Sequence, residues 1–213
     1  MNYRPILFNT TMVTAILSGK KTQTRRIIKP QPDARPYPMP EQSCYPGCFG
    51  IEGLPMVIRP PYQIGDTLWV RETWGFQTRN GGCFFAYRAD GVTHNMDIGT
   101  NGSYPTTPIK WHPSIHMPKR AARIFLRVTD VRAERVQDID YEGCRAEGIW
   151  DDYTTYSEKY HENLAKAAYP IAYSKLWNDT VKKSNLEKYG WAANPWVWVI
   201  EFERIDGDGS VKA

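Results

Sequence analysis

The stretch "NTTMVTAILSGKKTQTRRIIKP", residues 9–30, sets the reading of the whole chain. Its first half places Met12, Val13, Ile16 and Leu17 at the spacing of one helical face. Asn9 or Thr10 can cap the start, and Gly19 can end it. Beyond the glycine, the β-branched residues between Thr22 and Ile28 predict a strand, which Pro30 stops. The strand is basic: Lys20, Lys21, Arg25, Arg26 and Lys29 surround Thr22 and Thr24. Three meanings are open to it: a solvated edge strand kept soluble by charge, a nucleic-acid contact, or the working end of an enzyme.

The third meaning has a chemical basis. A threonine hydroxyl is a poor nucleophile until a base removes its proton. A lysine serves as that base only where burial or neighbouring cations bring its pKa toward neutrality. Lys21 follows Gly19 and belongs to the turn that opens the strand, from which its long side chain can reach the same pocket as Thr22 and Thr24. Lys20, Arg25 and Arg26 are the cations placed to act on it.

Outward from this segment, residues 31–62 are loop-like, with prolines at 32, 36, 38, 40, 46, 55, 60 and 61. A connection of that length is either an ordered insertion or a flexible lid. "IGDTLWVRETW", residues 64–74, reads as a Gly-Asp turn and a strand over 67–73. Leu68 and Val70 share one face with Glu72, so a carboxylate is aimed at the core side, while Trp69 and Arg71 share the other. Glu72 is either the partner of a buried arginine or an acceptor for a base's amino group. Trp69 and Trp74 are either core residues or a stacking wall for a flat ring. Further on, "CFFAYRA" is strand-like, and "RIFLRVTDVRAERV" is the clearest strand, with Ile124, Leu126 and Val128 alternating against Arg123, Phe125 and Arg127. Residues 138–147 form a compact helix closed by Gly148. Residues 158–183 form a longer one, broken at Pro170, with Ile171, Ser174, Leu176 and Trp177 near its buried side. "PWVWVIEFERI" closes the fold as a strand. The order predicts a mixed α+β domain on a small curved or closed sheet.

The composition fits an ordinary globular protein: 213 residues, 41% hydrophobic and 23% charged. Apolar runs are short, and no signal peptide is read at the N-terminus, so the expected location is the cytoplasm, with no membrane partner. A net charge of +4 permits an anionic partner without requiring one. The aromatic residues (Trp 8, Tyr 13, Phe 7) lie beside arginines in places, which suits base stacking. The four cysteines are Cys44, Cys48, Cys83 and Cys144. Cys44 and Cys48 have a spacing that zinc tolerates, and Cys83, His94, His112 and His116 could complete a shell. No second tight pair accompanies them, so no metal is assigned and no cofactor is expected.

Several separated motifs occur together: "GKKTQTRR" after a short helix, "GDTLWVRETW", a strand running into "DIDYEGCRAEG", and the terminal "WVIEFERI". In that order they resemble the ASCH domain family, whose fold is PUA-like. The long form here is similar to ASCH proteins of phages and prophages, which would place it in a bacterial host's cytoplasm. The resemblance implies a small β-barrel with flanking helices over residues 1–205. Insertions would fall at about 31–63, 75–118 and 150–190, and 206–213 would form a disordered tail.

Members of that family include N(4)-acetylcytidine amidohydrolase, in which the motif reads G-basic-K-T-x-T-x-R. The matching positions here are Lys21, Thr22, Thr24 and Arg26, and the family's catalytic glutamate falls on Glu147. The resemblance therefore implies Lys21, Thr24 and Glu147 as catalytic residues, with Thr22 and Arg26 at matching positions as substrate-binding residues. Trp69, Arg71, Glu72 and Trp74 join them as substrate-binding candidates because "WVRETW" offers a flat apolar wall beside polar groups. The implied reaction removes an acyl group from the exocyclic amine of a modified cytidine-type nucleoside. Thr24 is either the nucleophile or a positioning group for water, and Glu147 is either the acid/base or an exposed last-turn helix residue. The partner is a modified nucleoside or RNA. Other activities of such folds, non-catalytic RNA binding and ribonuclease action, stand as alternatives.

Overall fold

Asn9 accepts a hydrogen bond from the Met12 amide at 2.8 Å and so starts a helix, as its sequence position predicts. The computed structural model describes residues 2–79, 82–95, 107–149 and 158–206, with backbone alone for 158–167. In chain order the first half holds β1 (Tyr3–Leu7), α1 (Thr10–Leu17), β2 (Gln23–Ile27), β3 (Pro36–Pro38), β4 (Phe49–Ile51), β5 (Leu54–Ile58), β6 (Thr67–Arg71), β7 (Trp74–Arg79) and β8 (Gly82–Tyr87). The second half holds β9 (Phe125–Arg135), α2 (Tyr141–Ala146), α3 (Glu158–Thr180), α4 (Leu186–Tyr189) and β10 (Trp196–Ile205), with short 3-10 turns between.

The chain clusters into two compact units. The first comprises Met1–Gly19, Thr67–Arg127 and Arg204–Ala213, and the second Lys20–Asp66 and Val128–Glu203. Strands β9 and β10 each begin in one unit and end in the other. In the first unit β1 runs parallel to β6, pairing Ile6 with Val70, and β6 pairs antiparallel with the start of β9, Leu68 opposite Leu126. Leu68, Val70, Ile124 and Leu126 are buried there with Glu72, on the face that alternation assigns. Trp74 joins Met117 and Ala121 in a separate core cluster beneath the β7–β8 hairpin.

In the second unit β2 pairs antiparallel with β10, Thr24 opposite Ile200 and Arg25 opposite Val199. Both faces of β10 are buried from Trp196 to Ile200, which explains its nearly continuous apolar run. Val197 and Val199 pack with Val136, Ile139, Cys144 and the α3 residues Tyr169, Tyr173 and Trp177. The proline-rich segment is ordered: β3, β4 and β5 form a three-stranded sheet, and the Phe49 and Trp198 rings meet edge to face with their centres 4.8 Å apart.

The expected break at Pro170 does not occur, because α3 runs on through that residue. Its buried stripe is Tyr169, Tyr173 and Trp177, continued by Val181, four residues apart each time; this packing holds the helix where one backbone bond is lost. Ile171 lies on the outer side, 62% exposed. The architecture is therefore mixed α+β. Among the described residues, no pairing closes the strands into the small barrel expected from the sequence. The expected tail lies, apart from Asp206, outside the described residues, as do parts of the expected insertions at 75–118 and 150–190. Among the described residues no helix is long and apolar enough to cross a membrane.

Candidate active site

The site in the second unit is built where the end of α2 meets the turn before β2. Asp140 caps α2, its Oδ1 accepting from the Gly143 amide at 2.7 Å. The helix closes in a Schellman arrangement. The Gly148 amide donates to the Arg145 carbonyl at 2.8 Å, and the Ile149 amide to the Cys144 carbonyl at 3.1 Å. This requires a left-handed residue after Glu147, and Gly148 supplies it with φ 93°. Glu147 is thus the last residue of the turn, and its carboxylate sits at the helix end where the dipole disfavours an anion.

Two cations from the "GKKTQTRR" segment compensate. Lys21 forms an isolated antiparallel bridge with Glu147, and the Thr22 amide donates to the Ala146 carbonyl at 2.9 Å. Lys21 Nζ donates to Glu147 Oε2 at 2.7 Å and to the Glu147 carbonyl oxygen at 2.8 Å. One ammonium thereby satisfies an orphan carbonyl of the helix end and pairs with the carboxylate beside it. Arg25 Nη1 donates to Glu147 Oε1 at 3.3 Å, and Arg25 Nη2 to Glu134 Oε2 at 3.1 Å. Lys21, Arg25 and Glu147 are all buried.

Burial is the main reason that the Lys21 amine gives up its proton below its ordinary value of 10.5. Glu147 opposes the shift, and the Arg26 and Arg25 guanidiniums add to it. Tyr173 lies beneath Arg25, with the guanidinium carbon 5.9 Å from the ring centre. Burial and the Glu147 carboxylate hold its phenol protonated well above the ordinary range. Burial likewise pushes the Cys144 thiol up to about 12, so it is inert one turn before the glutamate.

The expected residues divide as follows. Lys21, Thr22, Thr24, Arg26 and Glu147 all belong to the second unit, and Lys21 and Glu147 are in direct contact. Glu147 is a buried ion-pair partner, not an exposed helix residue. Thr22 is exposed and Thr24 buried. Within β2, Thr24 and Arg26 alternate onto the face of Ile200 and Trp198, and Gln23 and Arg25 onto the face of Val199. Lys21 precedes the strand and is free of that phase.

Trp69, Arg71, Glu72 and Trp74 belong to the first unit. There Glu72 takes the role of arginine partner: Arg123 donates from Nε to Oε1 at 2.9 Å and from Nη2 to Oε2 at 3.0 Å. Trp74 is a core residue. Arg71 lies over the Trp69 ring at 5.3 Å and donates to the Ile115 carbonyl. Cys44 and Cys83 are exposed thiols and Cys48 and Cys144 buried ones; among the described residues no three His, Cys, Asp or Glu side chains gather as a metal site would require.

Sequence reasoning missed Arg25 as a partner of Glu147, and Glu134 and Tyr173 altogether. The signal for Arg25 was its period-two relation to Gln23, whose Nε2 donates to the Gly143 carbonyl on the same helix at 3.2 Å. Glu134 and Tyr173 come from a distant strand and helix, and no local pattern links them to the site.

No family model and no curated protein matches the chain. Among solved structures, the ASCH domain from Lactobacillus crispatus JV V101 aligns over 95% of this chain and 79% of that one, at 12% identity and a TM-score of 0.36.

Proposed function

We propose that the chain is a PUA-like ASCH hydrolase that removes an acyl group from the exocyclic amine of a modified cytidine-type nucleoside. The observation that supports this reading is the buried hydrogen bond of 2.7 Å from Lys21 Nζ to Glu147 Oε2, made by the two residues that the "GKKTQTRR" and "CRAEG" motifs single out. An amine with a lowered pKa touching a carboxylate is a proton acceptor joined to a proton carrier.

The proposed reaction uses that contact. Lys21, as the free amine, accepts the proton of the Thr24 hydroxyl or of a water that Thr24 positions. The oxygen so activated adds to the acyl carbonyl, whose π pair moves onto its own oxygen. Arg26, whose charge already acts on Lys21, is the candidate to stabilise that oxyanion. The captured proton passes from Lys21 to Glu147, and Glu147 delivers it to the exocyclic nitrogen as the C–N bond breaks. Where Thr24 is the nucleophile, the Glu147 carboxylate then takes a proton from a water whose oxygen adds to the acyl carbonyl, and as the ester C–O bond breaks that proton passes through Lys21 to the Thr24 oxygen.

The test is turnover of N(4)-acetylcytidine and related N-acyl nucleosides, nucleotides and acylated RNA, followed by the ultraviolet change on amide cleavage. Lys21→Met and Glu147→Gln are each expected to lower kcat by about 10²–10⁴-fold with circular dichroism unchanged. Thr24→Val abolishes the covalent route and only weakens the water route. A wild-type protein inactive on every such substrate overturns the reading. Salt-dependent RNA binding without turnover would then mark a binding module, and fragmented RNA a ribonuclease.

A further inference from the structure

Glu147 is held from both sides, by different cations on its two oxygens, and the second of those cations is itself held. Oε2 accepts from Lys21, and Oε1 accepts from Arg25 Nη1. The other arm of the Arg25 guanidinium, Nη2, donates to Glu134 Oε2 on β9. Glu134 Oε1 in turn accepts from Arg132 Nε, and Arg132 is further anchored by Asp130 and Glu201. Glu147, Arg25 and Glu134 each present a different atom to their two neighbours in the line, while Arg132 Nη1 serves both Asp130 and Glu201. The result is an alternating line of cation and anion from the half-exposed Arg132 to the buried Glu147. The Arg25 side chain is 2% exposed, and its Nε has no partner among the described residues, so it is kept buried at some expense.

Lys21 accounts for one carboxylate oxygen, and Arg25 gives the buried second oxygen its partner through a rigid planar group. We infer that Arg25 and Glu134 are positioning residues: the pair fixes the plane of the Glu147 carboxylate so that Oε2 stays directed at Lys21. This rests on the hydrolase reading for its catalytic meaning, but the geometry can be tested without it. The charged and titratable groups acting on Lys21 are Glu147, Arg25 and Arg26; Tyr173 and Cys144 act on the glutamate from α3 and α2.

The readout is the titration midpoint of the Lys21 ε-methylene, followed by NMR in the full-length protein. In Arg25→Gln the loss of a positive charge raises the midpoint whether or not the guanidinium also orients Glu147, so the deciding variant is Arg25→Lys, which keeps the charge without the two-armed grip. With Oε2 no longer held toward Lys21, Arg25→Lys is expected to lower the midpoint. A guanidinium that acts by charge alone leaves it where it is. In turnover, Arg25→Gln is expected to lower kcat about 100-fold with little change in KM, as loss of orientation does. The ascending limb of the rate profile should move with the NMR midpoint, and Arg25→Lys should recover only part of the rate.

A midpoint lowered in Arg25→Lys supports the inference. A midpoint unchanged in folded Arg25→Lys overturns it. Should Arg25→Lys not fold, Glu134→Asp decides in the same way, since it keeps the charge one methylene short of the guanidinium and its carboxylate is partly exposed. A wild-type protein without turnover overturns the hydrolase reading and leaves the NMR result standing.

Discussion

Lys21 carries a pH dependence whose sign follows from its burial. Its amine deprotonates at a lower pH in the folded chain than the ordinary 10.5 expected when unfolded. Between those two values the unfolded chain binds more protons, so this group makes the fold more stable as pH rises through the window and less stable as pH falls. Urea denaturation of the wild type and of Lys21→Met, from pH 7 to 10.5, should therefore show the difference between them shifting in favour of the wild type with increasing pH. A flat difference would mean that the amine titrates alike in both states. The same proton governs catalysis in the proposed reaction: kcat/KM should climb with pH and reach its plateau below 10.5.

At the level of elements, α2 has six residues and carries Glu147 at its end, so its capping bears on the site. Asp140→Ala removes the acceptor for the Gly143 amide and is expected to cost about 1 kcal/mol of stability, read by thermal or urea unfolding. It should also slow any Glu147-dependent turnover, because a frayed helix loosens the residue after it. Local chemistry of this kind was readable in advance. Helix α1, the β2 and β6 strands, and the burial of Glu72 followed from caps, β-branching and alternation. The small β3–β5 sheet was not readable, because its strands are three to five residues long and two of them contain proline. Pro170 misled for the opposite reason: a local rule predicts a break, and an aromatic stripe at four-residue spacing overrides it. The contact of Lys21 with Glu147 spans 126 positions, so no spacing argument reaches it; only the motif resemblance paired the two.

For the molecule as a whole, the thiols give a direct check on which regions are sealed. Cys44 and Cys83 are exposed, while Cys48 and Cys144 are buried. A disulfide reagent should titrate two thiols promptly in the native protein and all four in denaturant. Prompt reaction of all four would mean that the core around α2 is open to solvent. Charge at this scale is permissive: a net +4 on 213 residues allows an anionic nucleotide or RNA to approach without steering it strongly. In the proposed reaction selectivity then rests on the site, where Lys21 pairs with Glu147 and Arg25 with both Glu147 and Glu134.

Gly148 has a consequence for how this sequence can change. With φ 93° it occupies backbone territory where a side chain costs about 1–2 kcal/mol, and any relaxation of that strain would rotate the glutamate just before it. Every single-base change of a glycine codon that alters the residue introduces a side chain or a stop. In a lineage drifting under selection for the carboxylate, the glycine is therefore locked alongside it, although it touches no substrate and carries no chemistry of its own.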